Sequence, residues 1–168
     1  MNDGFELRQA VIMDLDAVVQ VFGDAIKVME AEQIYQWDDV YPDRETLRGD
    51  ILSGQMYVAE IGGETAAVVV LNQSCSKEYD DADWRYRDAT FFVVHRLCVA
   101  PAFQNRGVGT ETMLHAEALL RQKGIETVRL DAFSLNPYSN RMYLKLGYVK
   151  TGEAVWRKGL FYLYEKKL

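Results

Sequence analysis

The chain is poor in the residues that build cross-linked or metal-tied scaffolds, with two cysteines and two histidines among 168 residues. Cys75 and Cys98 are too few for a disulfide framework, and two histidines make a structural zinc site unexpected, so no metal is expected. Only three prolines are present, and no Pro/Gly/Ser-rich tract interrupts the chain, so one domain over residues 1–168 is expected. The longest wholly apolar run, Ala66 to Leu71, falls far short of the ~20 residues of a helical membrane span. The opening MNDGFELRQA lacks a basic stretch followed by an apolar one. A cytoplasmic protein with reduced thiols is the expectation, without membrane association. No basic cluster interleaved with aromatics occurs and the isoelectric point is near 5.0, so nucleic acid is a poor partner.

What is abundant is large apolar surface. Three Trp, ten Tyr and seven Phe in a chain that is 49% hydrophobic can offset the entropy of ordering. The net charge of −6 is unevenly spread: residues 1–90 balance to −12 and residues 91–168 to +6. The two halves therefore suit ligands of opposite sign.

Local pattern predicts a strand over Phe5 to Gln9 and a helix capped by Asp14. That helix carries Leu15, Val18, Val19, Phe22, Ile26 and Met29 on one stripe. A loop follows over Ile34 to Pro42, then a helix over Asp43 to Leu52. Met56 to Ile61 and Glu64 to Leu71 form a hairpin about Gly62-Gly63. Asn72 to Ala89, polar and acidic, is expected to be a flap or insertion. Thr90 to Val99 is the central strand, Gly107 to Lys123 a helix ended by Gly124, and Thr127 to Phe133 a strand. Pro137 to Leu146 is a helix stopped at Gly147, and Tyr148 to Lys167 gives two strands about Gly159. The order β-α-α-β-β-β-α-β-α-β-β implies an α/β or α+β domain, a mixed sheet with helices on both faces.

Chemistry concentrates where the central strand ends, in Leu97-Cys98-Val99-Ala100-Pro101-Ala102-Phe103-Gln104-Asn105-Arg106-Gly107-Val108-Gly109-Thr110. A strand, a short turn and a glycine-bearing helix start make an anion cradle, because the first N–H groups of a helix have no internal partner and its dipole is positive there. Arg106 adds a cation. No Walker string is present, and Thr112 stands where a dinucleotide fingerprint needs its third glycine.

The motif Gln104-x-x-Gly107-x-Gly109 after a Val-Ala-Pro strand end, followed by Leu130-Asp131-Ala132-Phe133-Ser134-Leu135-Asn136 and by Asn140-Arg141-Met142-Tyr143-Leu144-Lys145-Leu146-Gly147-Tyr148, resembles the GNAT superfamily of N-acetyltransferases. Arg8 and Ala10 on the opening strand fit the same likeness, which covers nearly the whole chain. The resemblance implies a mostly antiparallel seven-stranded sheet with splayed central strands, acetyl-CoA as co-substrate and no metal. It implies that the backbone of Leu97, Cys98 and Val99 pairs with pantetheine amides and that Gln104, Asn105, Arg106, Gly107, Val108, Gly109 and Thr110 hold the pyrophosphate. It further implies that Asn136 contacts the pantetheine arm, that the Val99 N–H polarises the thioester carbonyl, and that Tyr143 protonates the leaving thiolate.

An amine attacking directly must first lose a proton. His95 stands four residues before Val99, which by alternation puts both on one face, and an imidazole titrates near neutrality. His95 is therefore the candidate base, alone or through a water, against a reading as a satisfied core residue. His115 reads as structural, as does the thiol of Cys98. Trp37, Tyr41 and Trp84 fall in irregular segments and are candidate walls of an acceptor pocket, with Asp38, Asp39 and Asp80 to Asp83 as attractors of an ammonium group. The turn from Arg157 to Phe161 borders the acceptor by resemblance. The expected activity is acetyl transfer to a primary amine, with a small molecule preferred as acceptor. A non-catalytic acyl-CoA sensor and a protein or peptide N-acetyltransferase are the alternatives, and a homodimer is left open.

Overall fold

The computed structural model describes residues 3–168. They form two compact units, one made of the residues up to Leu71 with Arg96–His115, the other of Asn72–His95 with Ala116–Leu168. Three elements run through both: β3 (Glu64–Asn72), by its last residue, β4 (Phe91–Val99) and α3 (Val108–Gln122).

The first unit holds β1 (Glu6–Gln9), α1 (Leu15–Ala31), α2 (Arg44–Leu52), β2 (Met56–Ile61) and most of β3 (Glu64–Asn72). β1 pairs antiparallel with β2, and β2 with β3. The β2–β3 turn has φ of 61° at Gly62 and 83° at Gly63, which glycine tolerates, so the tight hairpin forms as the sequence predicts. The stripe of α1 buries Leu15, Val18, Val21, Phe22 and Ala25 against Leu47, Met56, Val58, Val68, Val70 and Cys98. Val21 and Ala25 join the buried stripe, while Val19, Ile26 and Met29 are half-buried. Asp14 does not cap α1 with its side chain. Its carboxylate instead accepts the Val11 N–H at 2.7 Å and both Arg8 Nη groups at 2.9 Å, and Arg8 also donates to Glu60 at 2.6 Å. A side-chain cap that the sequence reading did not single out is found on α2, where Asp43 accepts the Thr46 N–H at 2.8 Å.

The second unit contains β5 (Thr127–Phe133), α4 (Pro137–Lys145), β6 (Val149–Trp156) and β7 (Gly159–Lys167). β4 pairs parallel with β5 from Phe91 opposite Thr127 to Val94 opposite Leu130. β5 pairs antiparallel with β7, and β7 with β6. The sheet order is β1-β2-β3-β4-β5-β7-β6, so a seven-stranded, mostly antiparallel sheet with four α-helices is observed.

The segment after β3 is not a loose acidic flap. It contains a 3-10 turn, Lys77–Asp81, and it buries Tyr79, Ala82 and Trp84 with Val93, Ala154 and Leu163. The Asp83 N–H also donates to the Thr151 carbonyl at 2.8 Å, which anchors the segment to β6. Its acids outnumber its bases, but its aromatics decide where it packs.

Candidate functional site

The first unit presents the cradle. After β4 comes a 3-10 turn, Pro101–Phe103, then Gln104 in an extended conformation, Asn105 at φ +59° and Gly107 at φ +77°. Two left-handed residues so close together turn successive N–H groups inward, and α3 begins at Val108 with its own unbonded first turn. Gly107 is needed for its backbone rather than for space, since a Cβ there would meet nothing within 4 Å. From beneath, Phe103 and Val108 anchor the turn against Ala59, Ala66, Ala67 and the partly buried Val99. Above Phe103 lies the Arg106 guanidinium, 5.2 Å from the ring centroid.

The strand end is oriented by two bonds. The Ala100 N–H donates to the Ala66 carbonyl of β3 at 2.9 Å, so by alternation the N–H and carbonyl of Val99 point to the opposite edge. Gln104 Nε2 donates to that carbonyl at 3.1 Å. The side chain of the motif glutamine therefore ties the cradle to the strand. Cys98 is buried in the α1 side of the core, and burial pushes its thiol far above the usual range, as an inert small hydrophobe requires.

Trp37 is partly buried on the same core, its ring 5.2 Å from that of Phe22, and it anchors the loop. Asp38 closes that loop by accepting the Val40 and Tyr41 N–H groups at 3.1 Å each. Tyr41 is exposed at its ring, and its hydroxyl accepts a 2.6 Å bond from Arg96 Nη1. His115 packs against Phe5, ring centroids 4.7 Å apart.

The second unit carries the candidate proton carriers. Asn136 caps α4, its Oδ1 accepting the Tyr138 and Ser139 N–H groups at 3.1 and 3.2 Å. A contact from Asn136 to a pantetheine amide would have to use Nδ2, which narrows the expected role. Asn140 Nδ2 donates to the carbonyls of Phe133 and Asn136, and Tyr164 donates to Asn140 Oδ1 at 2.7 Å, locking α4 to the end of β5. One turn on, Tyr143 is 5% exposed and packs edge-on to Tyr148 at 5.6 Å. Burial, with the Asp131 carboxylate and Tyr164 adding to it, pushes its phenol well above the ordinary range.

His95 Nε2 lies 2.8 Å from Asn72 Oδ1 and 2.9 Å from the Ser74 carbonyl. Both partners accept, and Asn72 Oδ1 also accepts the Ser74 N–H at 2.9 Å, so Nε2 is the donor to this turn. The alternation that aligned His95 with Val99 does not survive, because Arg96 between them has φ +50°. Trp84 is corrected from pocket wall to core: it is 6% exposed, donates to the Tyr79 carbonyl at 2.7 Å, and carries Arg129 over its ring at 4.4 Å.

Sequence reasoning missed two groups here. Tyr79 is buried and donates to Asp131 at 2.6 Å, and Tyr79, Trp156, Phe161 and Phe133 form a row with successive centroids 6.4, 5.1 and 5.3 Å apart. Alternation along β5 places Asp131 and Phe133 on one face, which was the readable signal. Nothing in the sequence flags the backbone of Arg96. Among the described residues, no group of three or more His, Cys, Asp or Glu is arranged to hold a metal, and no helix is long and apolar enough to cross a membrane.

The family model of the acetyltransferase (GNAT) family matches residues 24–148. The chain belongs to that family. The uncharacterized N-acetyltransferase YesJ of Bacillus subtilis is 25% identical, covering 99% of this chain and 92% of that protein. A GNAT-family acetyltransferase structure from Streptococcus agalactiae superposes with a TM-score of 0.85 at 22% identity, over 100% of this chain and 98% of its own. The structure of yncA from Salmonella typhimurium, a putative acetyltransferase with its cofactor acetyl-CoA, gives a TM-score of 0.72 at 19% identity, over 99% and 95%.

Proposed function

We propose that this GNAT protein transfers an acetyl group from acetyl-CoA to a primary amine, preferentially on a small molecule. The observation that carries the reading is the cradle: left-handed Asn105 and Gly107 opening into the start of α3, next to a strand end whose Val99 N–H faces away from β3. Residues 105–110 fit a diphosphate, because their amides offer donors and nothing crowds Gly107, whereas the Gln104 N–H donates to the Pro101 carbonyl at 3.2 Å. The acetyl-CoA complex of the yncA relative supports the same ligand. Leu97 to Val99 would hold the pantetheine amides as an added strand would, with Asn136 Nδ2 as a further donor.

Acetyl-CoA, when bound, supplies an activated acyl carbon. With acetyl-CoA bound, the Val99 N–H would stabilise charge developing on the carbonyl oxygen, Tyr143 would give its proton to the departing sulfur, and His95, alone or through a water, would take the proton of the attacking amine. Trp37 and Tyr41 remain the proposed acceptor contacts of the first unit. The Arg157-to-Phe161 turn, with its row of aromatic neighbours, is proposed to border the acceptor as well.

Incubation with acetyl-CoA and a panel of amines and N-terminal or lysine peptides, following CoA thiol release, tests the reading. Turnover on small amines is expected. Binding of acetyl-CoA without turnover on any acceptor would favour a sensor, and peptides outperforming small amines would move the acceptor to protein.

A further inference from the structure

Arg96 is, among the described residues, the one non-glycine residue inside a strand with a left-handed backbone, at φ +50° in the middle of β4. Extended neighbours turn by half a revolution per residue, and a left-handed residue resets that phase. The course of Leu97, Cys98 and Val99 therefore depends on Arg96 staying in a conformation that side-chain-bearing residues avoid.

What holds it there is a three-point grip. Arg96 Nε donates to Asp50 Oδ2 at 2.8 Å and Nη2 to Asp50 Oδ1 at 2.7 Å, a planar fork on one carboxylate. Nη1 donates to the Tyr41 hydroxyl at 2.6 Å, with the guanidinium 5.8 Å from that ring centroid. The side chains of Arg96 and Asp50 are 12% and 10% exposed. Asp50 sits in the last turn of α2, between Leu47 and Ile51 in the core, so the anchor is rigid. All three nitrogens of the guanidinium are engaged within the protein, so its charge is spent on posture rather than offered to a ligand.

We propose that Arg96 is a positioning residue for acetyl transfer: held by Asp50 and Tyr41, it keeps β4 bent so that the Val99 N–H meets the thioester carbonyl. The inference rests on the acetyl-CoA reading above. Tyr41, a proposed acceptor contact through its exposed ring, also acts through its hydroxyl on Arg96. The chemistry that follows is geometric: a donor must point at the place where charge develops, and a strand of regular phase would turn it elsewhere.

The test pairs two substitutions that lose the grip equally but differ in backbone freedom. Arg96→Gly accepts φ +50° freely, whereas β-branched Arg96→Val resists it. Both are expected to lower the melting temperature. Arg96→Gly should keep acetyl-CoA affinity within about threefold, while Arg96→Val should lose at least about tenfold in affinity and in kcat, part of the ~10²–10³ lost on deleting such a donor. Arg96→Lys, which keeps the charge but cannot fork, guards against a variant that does not fold, and a fall in kcat of about fivefold or more is expected with acceptor KM unchanged. Wild-type affinity and kcat in Arg96→Val would overturn the proposal. So would losses that track melting temperature alike in Gly and Val, or an unchanged kcat in Arg96→Lys. Failure of the unaltered protein to bind acetyl-CoA is a different result, which removes the functional reading itself.

Discussion

Tyr143 shows how much a single side chain's identity conveys and how much its surroundings add. The resemblance over Asn136 to Gly147-Tyr148 named Tyr143 as the expected proton donor; its packing against Tyr164 could not be read, because that contact is made by a residue distant in the chain. Tyr143→Phe is expected to reduce turnover by roughly 10²–10⁴ with acetyl-CoA affinity retained, as stopped-turnover and titration measurements would show. For His95 the sequence offered the residue as a candidate base, and the structure adds that Nε2 lies against Asn72 Oδ1 and the Ser74 carbonyl. His95→Ala should move the rate profile to higher pH, where the amine deprotonates unaided; a profile of unchanged shape would confine His95 to bracing the Asn72–Ser74 turn.

Elements with local signals were legible. The Gly62-Gly63 hairpin and the glycines closing α3 and α4 each act within a few residues and fell where the pattern placed them, whereas the cap expected of Asp14 is not made because its carboxylate is held by Arg8. The segment between β3 and β4 was misjudged because its fold is decided by partners from β5, β6 and β7, beyond the reach of any window. Two substitutions probe the cradle and the α4 start. Gly107→Ala meets no atom, yet its φ of +77° should cost about 1–2 kcal/mol and weaken CoA binding, read by urea unfolding and calorimetry. Asn136→Ala should lose about 1 kcal/mol of cap stability, whereas Asn136→Asp keeps the cap. If Nδ2 serves the ligand, Asn136→Asp binds CoA more weakly at unchanged stability; equal affinity would leave Asn136 a cap alone.

Across the whole chain, charge and burial set opposite limbs of the stability profile. Arg8 holds the Asp14 carboxyl below its ordinary value, so that contribution is complete above the unfolded carboxyl pKa near 3.9 and disappears as pH falls through the lowered native value. On the alkaline side, burial raises the phenols of Tyr79, Tyr143 and Tyr148, with Asp131 or Glu117 adding to it. Above about pH 10 the unfolded chain releases phenolic protons that the native state keeps, so stability must drop. Melting temperatures between pH 8 and 11.5 should fall steeply beyond pH 10, and less steeply in Tyr148→Phe; a flat curve would contradict the buried phenols. Composition announced an apolar core but could not announce three hydroxyls inside it, since Tyr counts alike whether its oxygen is wet or dry.

The contrast between exposed Cys75 and buried Cys98 reaches into the laboratory. A chromogenic disulfide reagent used to count released coenzyme would also stain the catalyst, by one equivalent per chain from Cys75, while Cys98 stays invisible until denaturant is added. Replacing Cys75 with serine should erase that blank, and a second equivalent appearing over time would clock the opening of the core.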